Sequence, residues 1–321
     1  MPADDRRRSA VHHRPEGCAP RPTPYDSQEP RTVTARIPRP VRNALSALTL
    51  VGVLAATVVG CTSSDDPQGA DDSAPSSRAP SGKMVPPEPH VGFDYQIGGP
   101  YTPPPGVRAV SRDRTVKPAA GLYNICYVNA FQAQPDATGW WQANHPDLLL
   151  RNANGDPVMD KDWGEALLDV STPAKRERLA AIVGEWIDGC ATDGYQAVEA
   201  DNLDSYERSD GRLTPEHDLA FARLLVDRAH AAGLAIGQKN APDLAKRGRS
   251  LGFDFAVAEE CGQYEECGPY ATAFDNRVFV IEYETAGLHA ACATWGDTLS
   301  IVLRDPDVRP DGKPGHVRRT C

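Results

Sequence analysis

Short apolar or β-branched segments recur along the chain from residue 91 onward, and segments with helical patterning separate them. They predict eight strands, at residues 92–97, 121–128, 166–170, 194–200, 234–238, 253–258, 277–282 and 298–303. Strands that alternate with helices form parallel sheets with right-handed crossovers, and eight repeats allow such a sheet to close. The pattern therefore predicts an α/β fold, a (β/α)8 TIM barrel.

Two of the intervening helices have clear ends. The first is expected to begin at Ser171-Thr172-Pro173, a capping residue followed by proline in the first turn. Its apolar face is predicted from residues at helical spacing, Leu179, Ile182, Val183, Trp186 and Ile187. The second is expected to begin at Thr214-Pro215, to bury Phe221, Leu224 and Leu225, and to stop at Gly233, a left-handed cap.

An open, doubly wound sheet is the alternative arrangement. Sheets of that kind that bind nucleotides carry a Gly-rich phosphate loop after the first strand. Here the first strand runs into Ile97-Gly98-Gly99-Pro100, which lacks the required spacing and in which proline removes a backbone donor. The barrel is therefore favoured.

Residues 1–60 are predicted to be an N-terminal extension that ends in a signal peptide. Three arginines precede seventeen uncharged residues, and the segment ends in Val58-Val59-Gly60-Cys61, which resembles a bacterial lipobox with Cys61 as the lipidated residue. The uncharged run is short for a membrane span, which needs about 20 residues. An uncleaved anchor or a buried helix is the alternative.

The segment after Cys61 predicts a tether. Residues 61–90 are rich in Ser, Pro and Asp and are expected to be disordered, while residues 91–321 are expected to form the barrel domain. Together with the lipid at Cys61, this order places the expected barrel on the extracellular face of a bacterial cell membrane.

The charge of the chain is acidic, with 34 Lys+Arg against 44 Asp+Glu. Residues 1–60 hold nine Arg and five acidic residues, so the remainder carries 25 basic and 39 acidic side chains, a net charge of −14. This balance makes nucleic acid an unfavourable partner. We expect a monomer.

Six cysteines remain once Cys18 and Cys61 are set aside, an even number that suits an oxidising compartment. Six cysteines allow fifteen pairings. We expect three disulfides, Cys126–Cys190, Cys261–Cys267 and Cys292–Cys321. No Cys or His spacing predicts a zinc site.

Carboxylates follow two strands that are near neighbours in the predicted barrel. The fourth strand ends in Glu199-Ala200-Asp201-Asn202, the fifth in Gln238-Lys239-Asn240 and the sixth in Glu259-Glu260-Cys261. The active sites of such barrels lie at the C-terminal ends of the strands. Two carboxyl groups across a sugar's anomeric carbon are what a glycosidase needs, one as acid and one as nucleophile or base.

Other interpretations of these acids stay open. Asp201 could cap a loop, and Glu259-Glu260 could form a solvated rim. Glu199, Asp201 and Glu259 could also bind calcium or magnesium, since oxygen ligands suit both ions. Aromatic residues near the strand ends could stack on sugar rings or pack in the core: Tyr95, Tyr127, Trp140, Trp141, Trp163, Tyr264 and Tyr283.

Five segments in chain order resemble glycoside hydrolase family 114, the endo-α-1,4-polygalactosaminidases. They are Phe93-Asp94-Tyr95-Gln96, Cys126-Tyr127, residues 194–206, Gln238-Lys239-Asn240 and residues 254–270. The resemblance implies a (β/α)8 barrel that hydrolyses α-1,4 linkages in galactosamine-containing polysaccharide. It implies no metal and no organic cofactor.

The resemblance also implies roles for individual residues. Asp201 matches the family's acid on strand four, which we assign as nucleophile, and Glu259 matches the acid on strand six, which we assign as general acid/base. Glu260 is the rival for the second role, because a shift of one residue exchanges which side chain faces inward. The implied substrate-binding residues are Asp94, Tyr95, Tyr127, Glu199, Asn202, Lys239, Asn240, Glu260 and Tyr264.

Two functional hypotheses follow. The first is a membrane-tethered glycosidase with a retaining, two-carboxylate mechanism, whose acidic surface would attract a partly deacetylated, cationic polymer. In it, Lys239 would keep Asp201 ionised. The second is a catalytically inactive, carbohydrate-binding surface lipoprotein on the same barrel. The distance between the carboxyl groups of Asp201 and Glu259 separates them.

Overall fold

The structure, a computed structural model, describes residues 84–321. The predicted signal peptide, the predicted lipidation site at Cys61 and most of the predicted tether lie outside the described residues. The strands are β1 (Phe93–Gln96), β2 (Ala109–Asp113), β3 (Tyr123–Asn129), β4 (Gln132–Ala133), β5 (Met159–Asp160), β6 (Glu165–Leu167), β7 (Ala197–Asp201), β8 (Ala235–Lys239), β9 (Phe255–Glu259), β10 (Val278–Glu282), β11 (Ser300–Arg304) and β12 (Arg318–Arg319). The α-helices are α1 (Thr138–Asn144), α2 (Pro173–Asp193), α3 (Pro215–Ala231), α4 (Ala245–Leu251), α5 (Cys267–Ala273) and α6 (Thr285–Trp295).

Eight of these strands form the parallel barrel that the sequence predicts. Their order is β1-β2-β3-β7-β8-β9-β10-β11, and β12 pairs antiparallel with β11. Polar bonds link the two ends of the sheet, since the Arg318 guanidinium donates to the carbonyl of Phe93 (2.9 Å) and the Val91 N–H donates to Oγ of Ser300 (2.9 Å). The predicted α/β barrel is therefore confirmed.

One of the eight predicted barrel strands is wrong, although the number is right. Residues 166–170 contribute β6, which belongs to a separate three-stranded antiparallel sheet, β4-β6-β5. The missing barrel strand is β2, whose sequence AVSRD has no long apolar run. Its Arg112 is nonetheless buried, because the guanidinium donates to Gln96 and to the carbonyl of Lys117, both at 2.9 Å. Buried polar side chains with full hydrogen bonding leave no trace in a hydrophobicity pattern.

Both predicted helices are present with their expected caps. Thr172 caps α2, its hydroxyl accepting from the Lys175 N–H at 3.4 Å, and left-handed Gly194 ends the helix. Thr214 caps α3, and Gly233 follows with a φ of +78°. Among residues 84–321, no helix is both long and apolar enough to cross a membrane.

The three disulfides of the barrel domain join the pairs expected from the sequence. Cys126 of β3 is bonded to Cys190 of α2, and Cys292 of α6 to Cys321. Cys261 and Cys267 close a short loop immediately after β9. The Cys261–Cys267 bond constrains the backbone that follows Glu259, so it limits movement on one side of the candidate active site.

On β7 and β9, the side chains that face the inside of the barrel change from apolar to ionisable toward the C-terminal end of the strand. Inward positions on β7 run from Ala197 to Glu199 and Asp201, and those on β9 run from Phe255 to Val257 and Glu259. The lower half is tightly filled, since a Cβ atom on the inward Gly237 would lie 2.5 Å from the Phe255 ring. The apolar lower layers support a layer of ionisable groups at the C-terminal ends of the strands.

A buried carboxyl group anchors the loop that follows β7. Asp218 of α3 accepts from Oγ of Ser205 and from the Tyr206 N–H, both at 2.9 Å, while its second oxygen has no partner among the described residues. Burial raises the pKa of Asp218 to about 7. The carboxyl therefore prefers to be protonated in the folded protein over a pH range in which it is ionised in the unfolded chain.

This preference predicts a pH-dependent effect of Asp218→Asn on stability. The stabilisation by the protonated carboxyl is complete below the unfolded pKa and is lost as the pH rises toward 7, whereas the amide does not titrate. Relative to wild type, we expect the variant to gain roughly 4 kcal/mol of unfolding free energy between pH 4 and pH 8. Urea unfolding at several pH values measures this gain.

Asp227→Asn is the matched control, because Asp227 lies on the same helix but is exposed. Its effect on the free energy of unfolding should stay within about 1 kcal/mol, because exposed ion pairs contribute little. A flat difference for Asp218→Asn across the pH range would contradict the assigned pKa.

Candidate active site

Three charged side chains end three adjacent strands. Asp201, Lys239 and Glu259 are the last residues of β7, β8 and β9. The residue after each has left-handed backbone, with φ values of +70° at Asn202, +52° at Asn240 and +55° at Glu260. Backbone in this region costs of order 1–3 kcal/mol for a residue other than glycine and is concentrated at functional sites.

Lys239 lies at the centre of this group and is almost completely buried. Its ammonium nitrogen, Nζ, donates to Oδ1 of Asp201 at 3.0 Å and to Oε1 of Glu199 at 3.1 Å. It also lies 3.2 Å from the hydroxyl of Tyr95 and 3.4 Å from Oε2 of Glu259. One cation is therefore shared by three carboxylates.

The surroundings of Lys239 decide its charge state. Burial alone lowers the pKa of a lysine, but Asp201, Glu259, Tyr95 and Glu199 together raise the pKa of Lys239 well above its ordinary value. Lys239 therefore stays charged. Burial raises the pKa of Glu199, and the adjacent ammonium opposes that rise.

Tyrosine hydroxyl groups hold each of the three carboxylates. The Tyr127 hydroxyl donates to Oδ2 of Asp201 at 2.5 Å, the Tyr283 hydroxyl to Oε1 of Glu259, and the Tyr95 hydroxyl to Oε1 of Glu199 at 2.8 Å. Burial raises the pKa of all three phenols well above the usual value, so they remain donors at any physiological pH.

The two carboxylates at the mouth of the barrel lie close together. Nζ of Lys239 is 3.0 Å from Oδ1 of Asp201 and 3.4 Å from Oε2 of Glu259, so these two oxygens are at most 6.4 Å apart. Asn240 fixes Glu259 from the other side, its amide donating to Oε2 at 3.0 Å. Both carboxylates line an open cleft with a volume of about 380 Å³.

A family model for glycoside hydrolase family GH114 matches residues 73–321 of this sequence. The chain belongs to glycoside hydrolase family 114. It is therefore a glycosidase, and the family resemblance drawn from its sequence is confirmed. Among curated proteins, none matches the sequence.

Solved structures resemble the barrel of this glycosidase. Aspergillus fumigatus Ega3, in complex with galactosamine, is 23% identical with a TM-score of 0.60, over 75% of this chain and 99% of that chain. The glycoside hydrolase domain of PelA from Pseudomonas aeruginosa is 15% identical with a TM-score of 0.46, over 70% of this chain and 97% of that chain. At these identities, the likeness to Ega3 supports the fold.

Six of the catalytic and substrate-binding residues implied by the family resemblance line the cleft together, namely Tyr127, Asp201, Asn202, Lys239, Asn240 and Glu259. The aromatic candidates Trp163 and Tyr283 line it as well. Tyr95 and Glu199 lie one layer below, fully buried, where they support Lys239. Neither side chain is among the residues that line the cleft.

Three other named residues do not reach the cleft of the family 114 barrel. Asp94 is buried near the junction of β1 and β11, where it accepts from the Tyr101 hydroxyl at 2.9 Å and lies 3.1 Å from Nε of Arg318. Glu260, the rival acid, lies in the left-handed turn after β9, outside the cleft lining. Tyr264 is exposed and also lies outside that lining.

Glu165 is a cleft residue that the sequence analysis missed. It lies on β6, in the inserted sheet, and its Oε2 accepts from Asn129 at 2.8 Å and from Asn202 at 3.4 Å. Burial raises the pKa of Glu165 to about 7, and the charge of Asp201 contributes in the same direction. The sequence did not indicate Glu165 because residues 166–170 were predicted to be a barrel strand, whereas they contribute to a small sheet beside the cleft.

The arrangement of charges bears on the metal-site alternative. The ammonium of Lys239 occupies the position between Glu199, Asp201 and Glu259 that a divalent cation would need. Among residues 84–321, no group of three or more His, Cys, Asp or Glu is arranged to hold a metal ion.

The buried pair of Lys239 and Glu199 predicts a large loss of stability in Lys239→Met. The substitution leaves the Glu199 carboxylate buried without its cation, which costs about 3 kcal/mol or more. The double variant Glu199→Gln/Lys239→Met removes both charges and should regain most of that loss. Urea unfolding at pH 7 measures both.

The same two variants separate stability from chemistry. If Lys239 also positions Asp201, the double variant stays deficient in glycosidase activity, with a lowered kcat, although its free energy of unfolding is largely restored. A wild-type kcat in the double variant would remove the positioning role.

Proposed function

We propose that this protein cleaves α-1,4 linkages in galactosamine-containing polysaccharide with retention of configuration. The observation that carries the proposal is the pair of Asp201 and Glu259 at one cleft, with oxygens at most 6.4 Å apart and bound to one ammonium. Retaining glycosidases separate their carboxyl groups by about 5–5.5 Å, and inverting ones by about 6.5–9.5 Å.

In the proposed first step, the Asp201 carboxylate attacks the anomeric carbon and the glycosidic C–O bond breaks. The Glu259 carboxyl group gives its proton to the departing oxygen, and a covalent glycosyl–Asp201 ester remains. In the second step, Glu259 takes a proton from water, the water oxygen attacks the anomeric carbon, and Asp201 leaves as carboxylate. Two inversions give net retention.

The polar neighbours suit these roles. Lys239 and the Tyr127 hydroxyl both donate to Asp201, and these two bonds hold its carboxylate at the cleft. The Glu259 side chain is 25% exposed, against 14% for Asp201, so it has the better access to solvent for proton exchange. Trp163, 62% exposed at the cleft, offers a face on which a sugar ring can stack.

The charge of the cleft supports an amino-sugar polymer as substrate. Its lining contains six carboxylates and two cations, namely Asp113, Glu165, Asp201, Asp204, Glu259 and Asp307 against Arg208 and Lys239. Both cations already have acidic partners, because Arg208 pairs with Asp160 and Asp204. An excess of negative charge attracts a polymer that carries ammonium groups. The complex of Ega3 with galactosamine is in keeping with this substrate class.

The proposal extends to location. The lipobox-like segment at Cys61 and the polar residues after it support a lipid-anchored enzyme on the extracellular face of the cell membrane. The test is whether Cys61→Ala moves the protein from the membrane fraction into the medium, and an unchanged distribution would refute the anchor.

The catalytic pair predicts the outcome of a hydrolysis assay. With α-1,4-linked galactosamine oligomers, acetylated or deacetylated, the wild-type protein should release shorter oligomers whose new reducing ends first appear as the α-anomer in proton NMR. Asp201→Asn and Glu259→Gln should each lower kcat at least about a hundredfold, because each removes a group that acts in the transition state.

Three results would contradict this mechanism in different ways. Initial release of the β-anomer would mean inversion. Cleavage that survives both substitutions would overturn the site. Binding of the oligomers without any cleavage would favour the alternative, an inactive carbohydrate-binding surface protein. Glu260→Gln is the matched control, because its carboxyl group lies next in sequence but outside the cleft lining.

Glu165 predicts a pH dependence of substrate binding. Its carboxyl group lines the cleft, its Oε1 receives no hydrogen bond from residues 84–321, and its pKa is about 7. Above that pH the carboxylate can pair with a sugar ammonium, so KM for deacetylated oligomers should rise as the pH falls through 7. Glu165→Gln should abolish that rise and leave KM for acetylated oligomers nearly unchanged. Equal effects on both substrates would contradict an ammonium contact.

A further inference from the structure

A second cavity adjoins the cleft. It has a volume of about 360 Å³ and shares two lining residues with the cleft, Asp113 and Gln134. Asp113 ends β2, and Gln134 follows β4 of the inserted sheet. The two cavities are therefore parts of one continuous surface, and a polymer that occupies the cleft can extend into the second cavity.

Tryptophans dominate one side of this second cavity. Trp140, Trp141 and Trp186 all line it, and the Trp140 indole is 46% exposed although Trp141 beside it is buried. Trp141 supports both neighbours edge-on, with ring centroids 5.2 Å from Trp140 and 6.0 Å from Trp186. A large aromatic face held in place and open to solvent is a suitable surface for the C–H face of a sugar ring.

The charges of the second cavity differ from those of the cleft. Its lining contains one carboxylate, Asp113, and one cation, Arg114, whose guanidinium carbon lies 4.4 Å from the Trp186 ring centroid. The remaining polar groups are the amides of Asn129, Gln132 and Gln134. The cavity has no excess of negative charge, and Arg114 opposes the entry of an ammonium group. Its chemistry therefore suits an uncharged sugar unit.

We propose that this cavity is a distal subsite that stacks an uncharged sugar unit, a hexose or an N-acetylated hexosamine, of the same polymer chain that is cleaved in the cleft. This inference rests on the proposed function. It means that the enzyme recognises a mixed polymer, with a cationic unit near the scissile bond and a neutral unit farther along the chain.

The test compares oligomers of increasing length with the full-length protein, its Trp140→Ala variant and its Trp140→Phe variant. For the shortest cleaved oligomer, we expect equal kcat/KM in all three proteins. For oligomers long enough to reach the second cavity, Trp140→Ala should lower kcat/KM by about two- to tenfold, the value of one aromatic stacking contact. Trp140→Phe should retain most of the wild-type value.

Binding by calorimetry in the Asp201→Asn background makes the test independent of turnover. Trp140→Ala in that background should weaken the affinity for long oligomers and leave that for short ones unchanged. If wild type cleaves no oligomer, the proposed function fails, but the binding measurement still shows whether Trp140 contacts long oligomers. A loss of the same factor at every length, or no loss at any length, would show that Trp140 only packs against its neighbours and would overturn the subsite.

Arg114 tests the preference for an uncharged unit. Arg114→Glu should raise the affinity for long deacetylated oligomers relative to that for long acetylated ones. Arg114→Met keeps an aliphatic side chain over Trp186, and its ratio of these two affinities should lie between the ratios of wild type and Arg114→Glu. An unchanged ratio in Arg114→Glu would overturn the assignment of an uncharged unit.

Discussion

The shared ammonium of Lys239 is the constraint on which the rest of this site depends. Three carboxylates, those of Glu199, Asp201 and Glu259, converge on one buried nitrogen. Without a cation at that point, three acidic groups would converge with no opposite charge between them. With it, Glu199 can lie fully buried as a support, and the two outer carboxylates can be held at a fixed separation while they remain accessible from the cleft. The tyrosines complete the arrangement, since each donates to one carboxylate and none of them ionises.

The barrel supplies this geometry by the alternation of its strands. Side chains two residues apart share the inward face, so β7 places Glu199 below Asp201, and the neighbouring strands place Lys239 and Glu259 at the level of Asp201. The residue after each of these strands has left-handed backbone and ends the strand immediately. This change of direction separates the layer of charged side chains from the loops that follow. Those loops are free to differ, and here the segment between β3 and α2 brings Glu165 and Trp163 to the cleft and Trp140 to the second cavity.

The sequence was most informative where local rules dominate. Strand ends and helix caps could be derived from spacing, and the family resemblance selected Asp201 and Glu259 at those strand ends, whereas spacing alone left Glu260 as a rival to Glu259. It was least informative where polar groups satisfy one another at long range. β2 was missed because its Arg112 is buried by hydrogen bonds, and Asp94 was misplaced because its partner Arg318 is 224 positions later in the sequence. Glu165 could not be found because its position depends on how an insertion folds over a distant strand end.

The contact between Arg318 and the carbonyl of Phe93 spans 225 residues and helps to join the first strand of the barrel to the last. A ribosome adds Arg318 after all eight parallel strands of the barrel, so the nascent chain can form β/α units as it emerges but lacks this bond until Arg318 has been added. The late formation of this bond makes the neighbourhood of Arg318 a poor place to attach a bulky fusion partner.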